Sequence, residues 1–396
     1  MPTSVRGADV VVVGGGLVGS SLAYELVTGG AEVVLIDRHD PGRATDAGAG
    51  ILSPETYQDP DPLLFAFGMA AAHHYQGLHR RLLDDGVADT GFAVTGSLLI
   101  ADRPEDEPFL AMAEALVEAR SPGLIHPIGA AEARRHVPVL GPVQRALHSP
   151  AARRVDGRVL NDALRQAAVG RGLRVVTSDA TGVELDQGRG TVSGVVTAEG
   201  TVPAGAVVVA GGAWSRQLGS VFGVDIPVRP LKGQIVHLTL PGTDIDTGSW
   251  PIVQPVLGFY LVPWPGGRVA CGGTMEAQAG FDHRPTAGGL HQLLRECLRT
   301  APGLAEATVT EVRVGSRPAT PDGRPVLGAL PGWGNAYVAT GHGAEGLLLG
   351  PYSALLVARA VLGVEATGPP GAESAGAEAA AQVFAMCEPG RFAGSS

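Results

Sequence analysis

The 396-residue sequence predicts a mixed α/β protein. A βαβ domain assembled from separated stretches of chain is interrupted twice by an antiparallel-sheet domain. Three observations carry this reading. Strand–helix–strand patterning occupies residues 9–37, returns around 160–212, and appears again near the C-terminal end. Alternating apolar and polar residues fill 88–100 and 226–280, between those regions. Hydrophobic residues make up 45% and charged residues 17%, which supplies a large core and excludes a disordered chain.

Taken in order, residues 9–13 form a buried-strand run, 17–28 a helix and 32–37 a second strand. Val, Ile and Leu occupy both faces of these strands, as parallel strands covered by helices require. Two parallel strands so joined need a right-handed crossover. A break at 59–62 precedes a long helix over 63–83. A strand is expected at 96–101 and a helix at 105–120. A helix over 160–171 follows, with strands at 173–176, 192–197 and 206–210. Alternation over 227–240 and 259–272 predicts antiparallel pairing. A helix at 291–299, a short strand at 337–339 and a helix at 350–362 complete the pattern. The expected division is 8–87, 150–225 and 310–366 for the βαβ domain, with 88–149 and 226–309 for the inserted domain. The low-complexity stretch 367–396 reads as a weakly ordered tail.

Lys plus Arg total 29 against 39 Asp plus Glu, a net charge of −10. That argues against broad nucleic-acid or anionic-membrane binding. Cys271, Cys297 and Cys387 form no C-x-x-C pair, so reduced thiols in a cytoplasmic protein are expected rather than disulfides or zinc. No run of about 18 apolar residues predicts a membrane span, and the first residues lack a signal-peptide pattern. Homo-oligomer formation is compatible with this composition. The pair His73-His74 lies in the long helix and is expected on its solvated face.

The chemistry begins at Gly14-Gly15-Gly16-Leu17-Val18-Gly19, which satisfies G-x-G-x-x-G directly after a strand and at a helix start. Gly14 permits the tight turn, Gly16 lets the backbone approach a pyrophosphate, and Gly19 lets helix and strand touch. The amides of the helix start face the phosphates. Asp37 ends the second strand, where a carboxylate accepts hydrogen bonds from a ribose hydroxyl. These residues fit NAD and FAD alike. Two further loops favour the longer FAD. The Gly/Ala-rich stretch 38–52 carries little side-chain bulk, so its backbone can approach a planar ring. The turn Gly341-His342-Gly343-Ala344-Glu345-Gly346-Leu347-Leu348 opens a helix whose amides stabilise negative charge on a reduced ring.

At this level the sequence resembles the FAD-dependent amino-acid and amine oxidases, most closely the glycine oxidases. The marks are VVVVGGGLVGSSLAYEL (10–26), PGRATDAGAGIL (41–52), VVVAGGAWS (207–215), PLKGQ (230–234), YLVPWPGGRVACGGTME (260–276), VGSRPATPDGRPVLG (314–328) and ATGHGAEGLLLGP (339–351). The resemblance implies a Rossmann-like FAD domain beside a substrate domain whose antiparallel sheet roofs the flavin. It places Leu17 and Val18 at the pyrophosphate, Asp37 and Arg38 at the adenosine ribose, and Ala180 at the adenine. Arg43, Ala44, Thr45, Ala49, Gly50 and Ile51 match the loop passing the flavin, and His342 to Leu348 the turn at the pyrimidine end. Arg317 matches the arginine that clamps the substrate carboxylate, Tyr260 the tyrosine beside it, and Met275 a pocket-lining methionine. Ile51 stands where glycine oxidases carry methionine, and Ala344 replaces a bulky basic residue; both reshape the expected pocket. Branches with covalent flavin use a cysteine at the position of Gly315 or a histidine within 44–51. Neither is present, so non-covalent FAD is implied.

The implied reaction is oxidative deamination of glycine, sarcosine or a small D-amino acid. A hydride passes to flavin N5, and oxygen is reduced to hydrogen peroxide. The residues themselves need only orient the substrate: a planar guanidinium suits bidentate carboxylate binding. Three alternatives stand beside this one: a dehydrogenase with a non-oxygen acceptor, a tailoring oxidase of a larger amine, and a flavoprotein subunit of a larger complex.

Overall fold

The computed structural model describes residues 7–56, 61–186, 188–242, 245–364 and 381–392. Its first sheet has five parallel strands at its centre, in the spatial order Arg174–Val176, Val33–Ile36, Ala8–Val13, Gly200–Val209 and Ala336–Thr340. Val10–Val13 and Val33–Ile36 are all buried, because helices cover both faces of the sheet and leave no polar side for alternation. The helix Leu17–Thr28 is buried along nearly its whole length between the sheet and the helices Gly157–Gly170 and Gly346–Val361. Along that buried length its sequence is correspondingly apolar apart from Ser20, Ser21 and Glu25, the last paired with Arg81.

Gly346–Val361 begins earlier than its sequence pattern indicates and carries Pro351 inside it. Proline has no N–H, so the carbonyl four residues back, Leu347, loses its helical donor. Tyr75 from the long helix Pro62–Asp84 donates its hydroxyl to that carbonyl instead. This ties the glycine-rich turn at 341–348 to the core. By length and composition alone Gly343–Val361 suffices to cross a membrane, but 61% of it is buried in the fold, as a core helix requires.

The second sheet runs in the order Thr308–Ala319, Arg229–Thr239, Arg268–Gly272, Tyr260–Trp264, Ile252–Pro255, Ser97–Ala101, Arg145–Ser149 and His126–Gly129. Every neighbouring pair is antiparallel except Ile252–Pro255 with Ser97–Ala101. Those two strands come from the two separate insertions, so no hairpin dictates their direction. The expected boundary at 309/310 needs correction. Thr308–Ala319 is one continuous strand of this sheet, paired with Arg229–Thr239 along its length. Pro318 and Gly315 obscured it in the sequence; the strand lies on the sheet edge, where proline is tolerated.

Two further expectations change. Residues 381–392, read as part of a weakly ordered tail, pack onto the first domain. Val383 and Cys387 are fully buried, Leu327 N–H donates to Cys387 O at 2.9 Å, and Arg391 pairs with Asp322 at 2.8 Å. The rest of that tail lies outside the described residues. His74 is not on a solvated face: it is buried against the Tyr352 ring, and burial lowers its pKa from 6.5 to about 4. The helix Gly346–Val361, which carries Tyr352, presses on that side of Pro62–Asp84, a contact the short sequence window did not reveal.

Candidate active site

The strand-to-helix turn is built by steric necessity. Gly14 has φ +106°, and a Cβ there would lie 2.5 Å from Ala210 O. A Cβ on Gly19 would lie 1.8 Å from Gly14 O, so this glycine lets the helix sit directly on the strand. The helix cap residue Gly16 offers no capping side chain, and the first turn has no acid. Leu17 N–H donates to Thr45 Oγ1 at 3.0 Å, which fixes the 38–52 loop to the helix start. Together these leave a helix terminus whose backbone suits a phosphate.

Asp37 is buried beneath Gly15 and accepts from Arg43 Nη1 at 3.2 Å and Arg165 Nη2 at 3.4 Å. Arg43 also grips Asp46 at 3.0 Å, so the loop is pinned at two points. Arg38 pairs with Asp40, and at 3.2 Å with Asp179, beside Ala180. The next stretch is squeezed between elements. Gly50 has φ +85° and no room for a side chain beside Val155 O, and Gly48 abuts Leu347. Backbone, rather than side chains, therefore forms the wall over 47–50.

All of this surrounds one cavity of about 520 Å³. It extends from Asp37 and Ala180, past the fingerprint, to Tyr260 and Arg317. Gly14, Gly16, Leu17, Val18, Arg38, Arg43, Ala44, Thr45, Ala49, Gly50 and Ile51 line it, as does the turn His342–Leu348. Gly19 and Gly341 stand behind the lining: Gly341, at φ +78°, packs on Thr320 and Val326 and shapes the turn. Met275 does not line the cavity. Its side chain is 69% exposed, because Thr274 turns its own carbonyl inward at that point and sends the next residue to solvent.

Arg317 occupies the end of the edge strand, as expected. Its Nη1 donates to Thr274 O at 2.9 Å, while the nearby carboxylate of Asp322 pairs with Arg391. The guanidinium lies flat on Gly233, where a Cβ would come within 2.1 Å of Nη1. Arg317 Nη2 and the Tyr260 hydroxyl converge: each lies 3.0 Å from the point where a Gly273 Cβ would stand. Withdrawal from water pushes the Tyr260 phenol up to about 12 although Arg317 pulls it down, so it remains a hydrogen-bond donor. One face of the site thus places a cation and a neutral donor side by side.

His342 is buried, and its Nε2 has no hydrogen-bond partner among the described residues. Burial lowers its pKa from 6.5 to about 4, so it is a neutral imidazole at the cavity wall. The orphaned nitrogen, the backbone wall at 47–50 and the open helix terminus fit FAD. Gly315 fits non-covalent binding: a Cβ there would already lie 2.8 Å from Ala47 Cβ. Sequence reasoning missed Trp214 and Gln254 in the lining. Trp214 stacks on Phe281 at 4.9 Å, a partner that is distant in sequence. Gln254 carried a faint signal, a single amide in the apolar run Ile252–Pro255.

Fold and cavity define a dinucleotide-binding α/β protein with a substrate-facing sheet laid over the cofactor cleft. The family model for FAD-dependent oxidoreductases matches residues 9–360, and the chain belongs to that family. It is 38% identical over 360 residues to an uncharacterized oxidoreductase, YurR, of Bacillus subtilis (strain 168), covering 89% of this chain and 94% of that protein. It is 31% identical to the glycine oxidase of Pseudomonas putida, covering 90% and 95%. The crystal structure of iminodiacetate oxidase from Chelativorans sp. BNC1 superposes with a TM-score of 0.85 at 36% identity, covering 91% and 97%. The protein is an FAD-dependent oxidoreductase that binds its flavin non-covalently.

Proposed function

We propose that this enzyme oxidatively deaminates a small amino acid or secondary amine, such as glycine, sarcosine or a small D-amino acid, with oxygen reduced to hydrogen peroxide. The observation that carries the reading is the convergence of Arg317 and Tyr260 on one edge of the cofactor cavity. When bound, FAD supplies the two-electron acceptor. Arg317 holds the substrate carboxylate, and Tyr260 donates to it. Charge-assisted hydrogen bonds of this kind contribute about 1.5–3 kcal/mol. The guanidinium is pre-positioned by Gly233 beneath it and Thr274 O at its side, so little rotamer freedom is lost on binding. His342, being neutral, adds no second cation to compete for the carboxylate.

Ala344 in the lining leaves room beside the clamp, which favours substrates bearing an N-substituent over glycine alone. In this reading residues 8–87, 150–225 and 320–366 hold the cofactor, while 88–149 and 226–319 form the roof. Three buried free thiols are in keeping with a reducing, cytoplasmic compartment. The test is a panel of small amines and amino acids scored by peroxide release, run with wild type and Arg317→Leu. The variant is expected to raise KM for carboxylate substrates by about tenfold to 150-fold. An unchanged KM removes Arg317 from the site.

A further inference from the structure

One polar side chain in the cavity is used neither by the nucleotide cradle nor by the carboxylate clamp. Gln254 lies on the strand Ile252–Pro255, where Val253 pairs with Leu261 of the adjacent antiparallel strand. Extending that register by one residue sets position 254 opposite Tyr260, and both side chains line the cavity. Directly opposed residues of an antiparallel pair have Cβ atoms about 4.5–5.5 Å apart. Gln254 therefore flanks the carboxylate clamp.

A chain of hydrogen bonds running away from the cavity sets the direction of its amide. Gln254 Nε2 donates to Thr56 Oγ1 at 2.6 Å. Thr56 Oγ1 directs its single proton to Ser53, within 2.8 Å of the carbonyl O and 3.1 Å of Oγ, so only lone pairs face the amide and the chain continues through Ser53 Oγ. Ser53 Oγ donates to Glu55 Oε1 at 3.0 Å, and Ser149 Oγ donates to the same oxygen at 2.6 Å. Ser97 Oγ completes the cluster, 2.9 Å from Ser53 Oγ. A carboxyl oxygen receiving two hydroxyl protons is an acceptor, and the chain is polarised toward it. Ser53, Glu55, Thr56, Ser97 and Ser149 are all buried, so bulk water does not scramble that direction. The amide nitrogen is thereby turned inward, and Oε1 is the end left for the cavity.

We propose that Gln254 Oε1 accepts the N–H of the substrate amine while Arg317 and Tyr260 hold its carboxylate. This rests on the amine-oxidising reading above and narrows it to primary and secondary α-amino acids. A neutral tertiary amine has no N–H to offer. Glu55 is a positioning residue: it touches no substrate and acts by keeping the Gln254 amide in one orientation.

The test uses the FAD-loaded enzyme, the best substrate among glycine, sarcosine and D-alanine, and acetate as a competitor that carries the carboxylate without the amine. Gln254→Leu is expected to raise KM about tenfold while leaving the acetate inhibition constant within twofold of wild type. Gln254→Met, closer in length, serves where the leucine variant fails to fold. Glu55→Gln is expected to raise KM in the same direction but by less, again sparing acetate. N,N-dimethylglycine is expected to be the poorest of the N-methyl series. An unchanged KM in folded Gln254 variants overturns the assignment, and so does an acetate constant that rises in parallel with KM. If wild type oxidises no panel amine, or Arg317→Leu leaves KM unchanged, the underlying function has failed instead, and the two results are separable.

Discussion

Gly233→Ala isolates the proposed carboxylate clamp without deleting it. The Cβ would stand 2.1 Å from Arg317 Nη1, 2.5 Å from Cζ and 2.6 Å from Nη2, whereas ordinary contacts begin near 3.4 Å. The guanidinium must therefore retreat by roughly 1 Å, which a flexible side chain accomplishes cheaply. The backbone itself is unstrained, because position 233 has ordinary strand geometry, paired with Gly315 in the register of the edge strand. Stability should accordingly change little, within about 1 kcal/mol. Retreat breaks the alignment with Thr274 O and takes the cation off the edge it shares with Tyr260. Losing one charge-assisted bond of about 1.5–3 kcal/mol corresponds to a KM rise of about tenfold to 150-fold for carboxylate substrates. The assay is steady-state amine oxidation, with flavin content and thermal midpoint measured on the same preparation. Wild-type KM in a folded, flavin-loaded Gly233→Ala enzyme would refute the claim that the guanidinium's place over this glycine positions it for substrate.

The remaining predictions concern the cradle and the response to acid. Gly19→Ala sets its Cβ 1.8 Å from Gly14 O, a backbone atom, so no flexible side chain can give way. Loss of bound flavin on gel filtration and a lower thermal midpoint are expected, at a cost of about 1–3 kcal/mol or more; full flavin retention with an unchanged midpoint contradicts the close-packing role. His74, His237 and His342 have pKa values lowered from 6.5 to about 4, chiefly by burial, helped at His237 by Arg313. Between those values the unfolded chain binds more protons than the folded one, so stability falls as pH falls through this window. Each histidine contributes at most about 3 kcal/mol of that loss. Thermal midpoints measured from pH 7 to pH 5 should decline, and a flat profile would count against neutral burial of all three.

Composition and local pattern went far with the first domain. The run Val10–Val13, the three glycines and Asp37 lie within thirty residues, and backbone sterics leave a βαβ turn little alternative, so the cradle was legible. Arg317 and Tyr260 were legible only through resemblance: nothing in their own neighbourhoods indicates that residues 57 positions apart converge on one edge of the cavity. Gln254 and Glu55 escaped notice altogether, since their meaning comes from the turn that carries Ser53 and Thr56, from Ser149 and from the strand that carries Gln254, three segments distant from one another in the chain.

The sequence by itself determined the strand and helix periods, the glycines a nucleotide turn demands, and the net charge of −10. These are properties of short windows, governed by backbone sterics and burial. Tertiary structure alone decided that 308–319 is one edge strand despite its proline, that 381–392 docks, and that Met275 faces water. It alone brought Arg317 over Gly233 and set Gln254 opposite Tyr260. Such outcomes depend on which distant surfaces meet, and a residue's neighbours across a sheet or cavity leave no trace in the residues beside it in the chain.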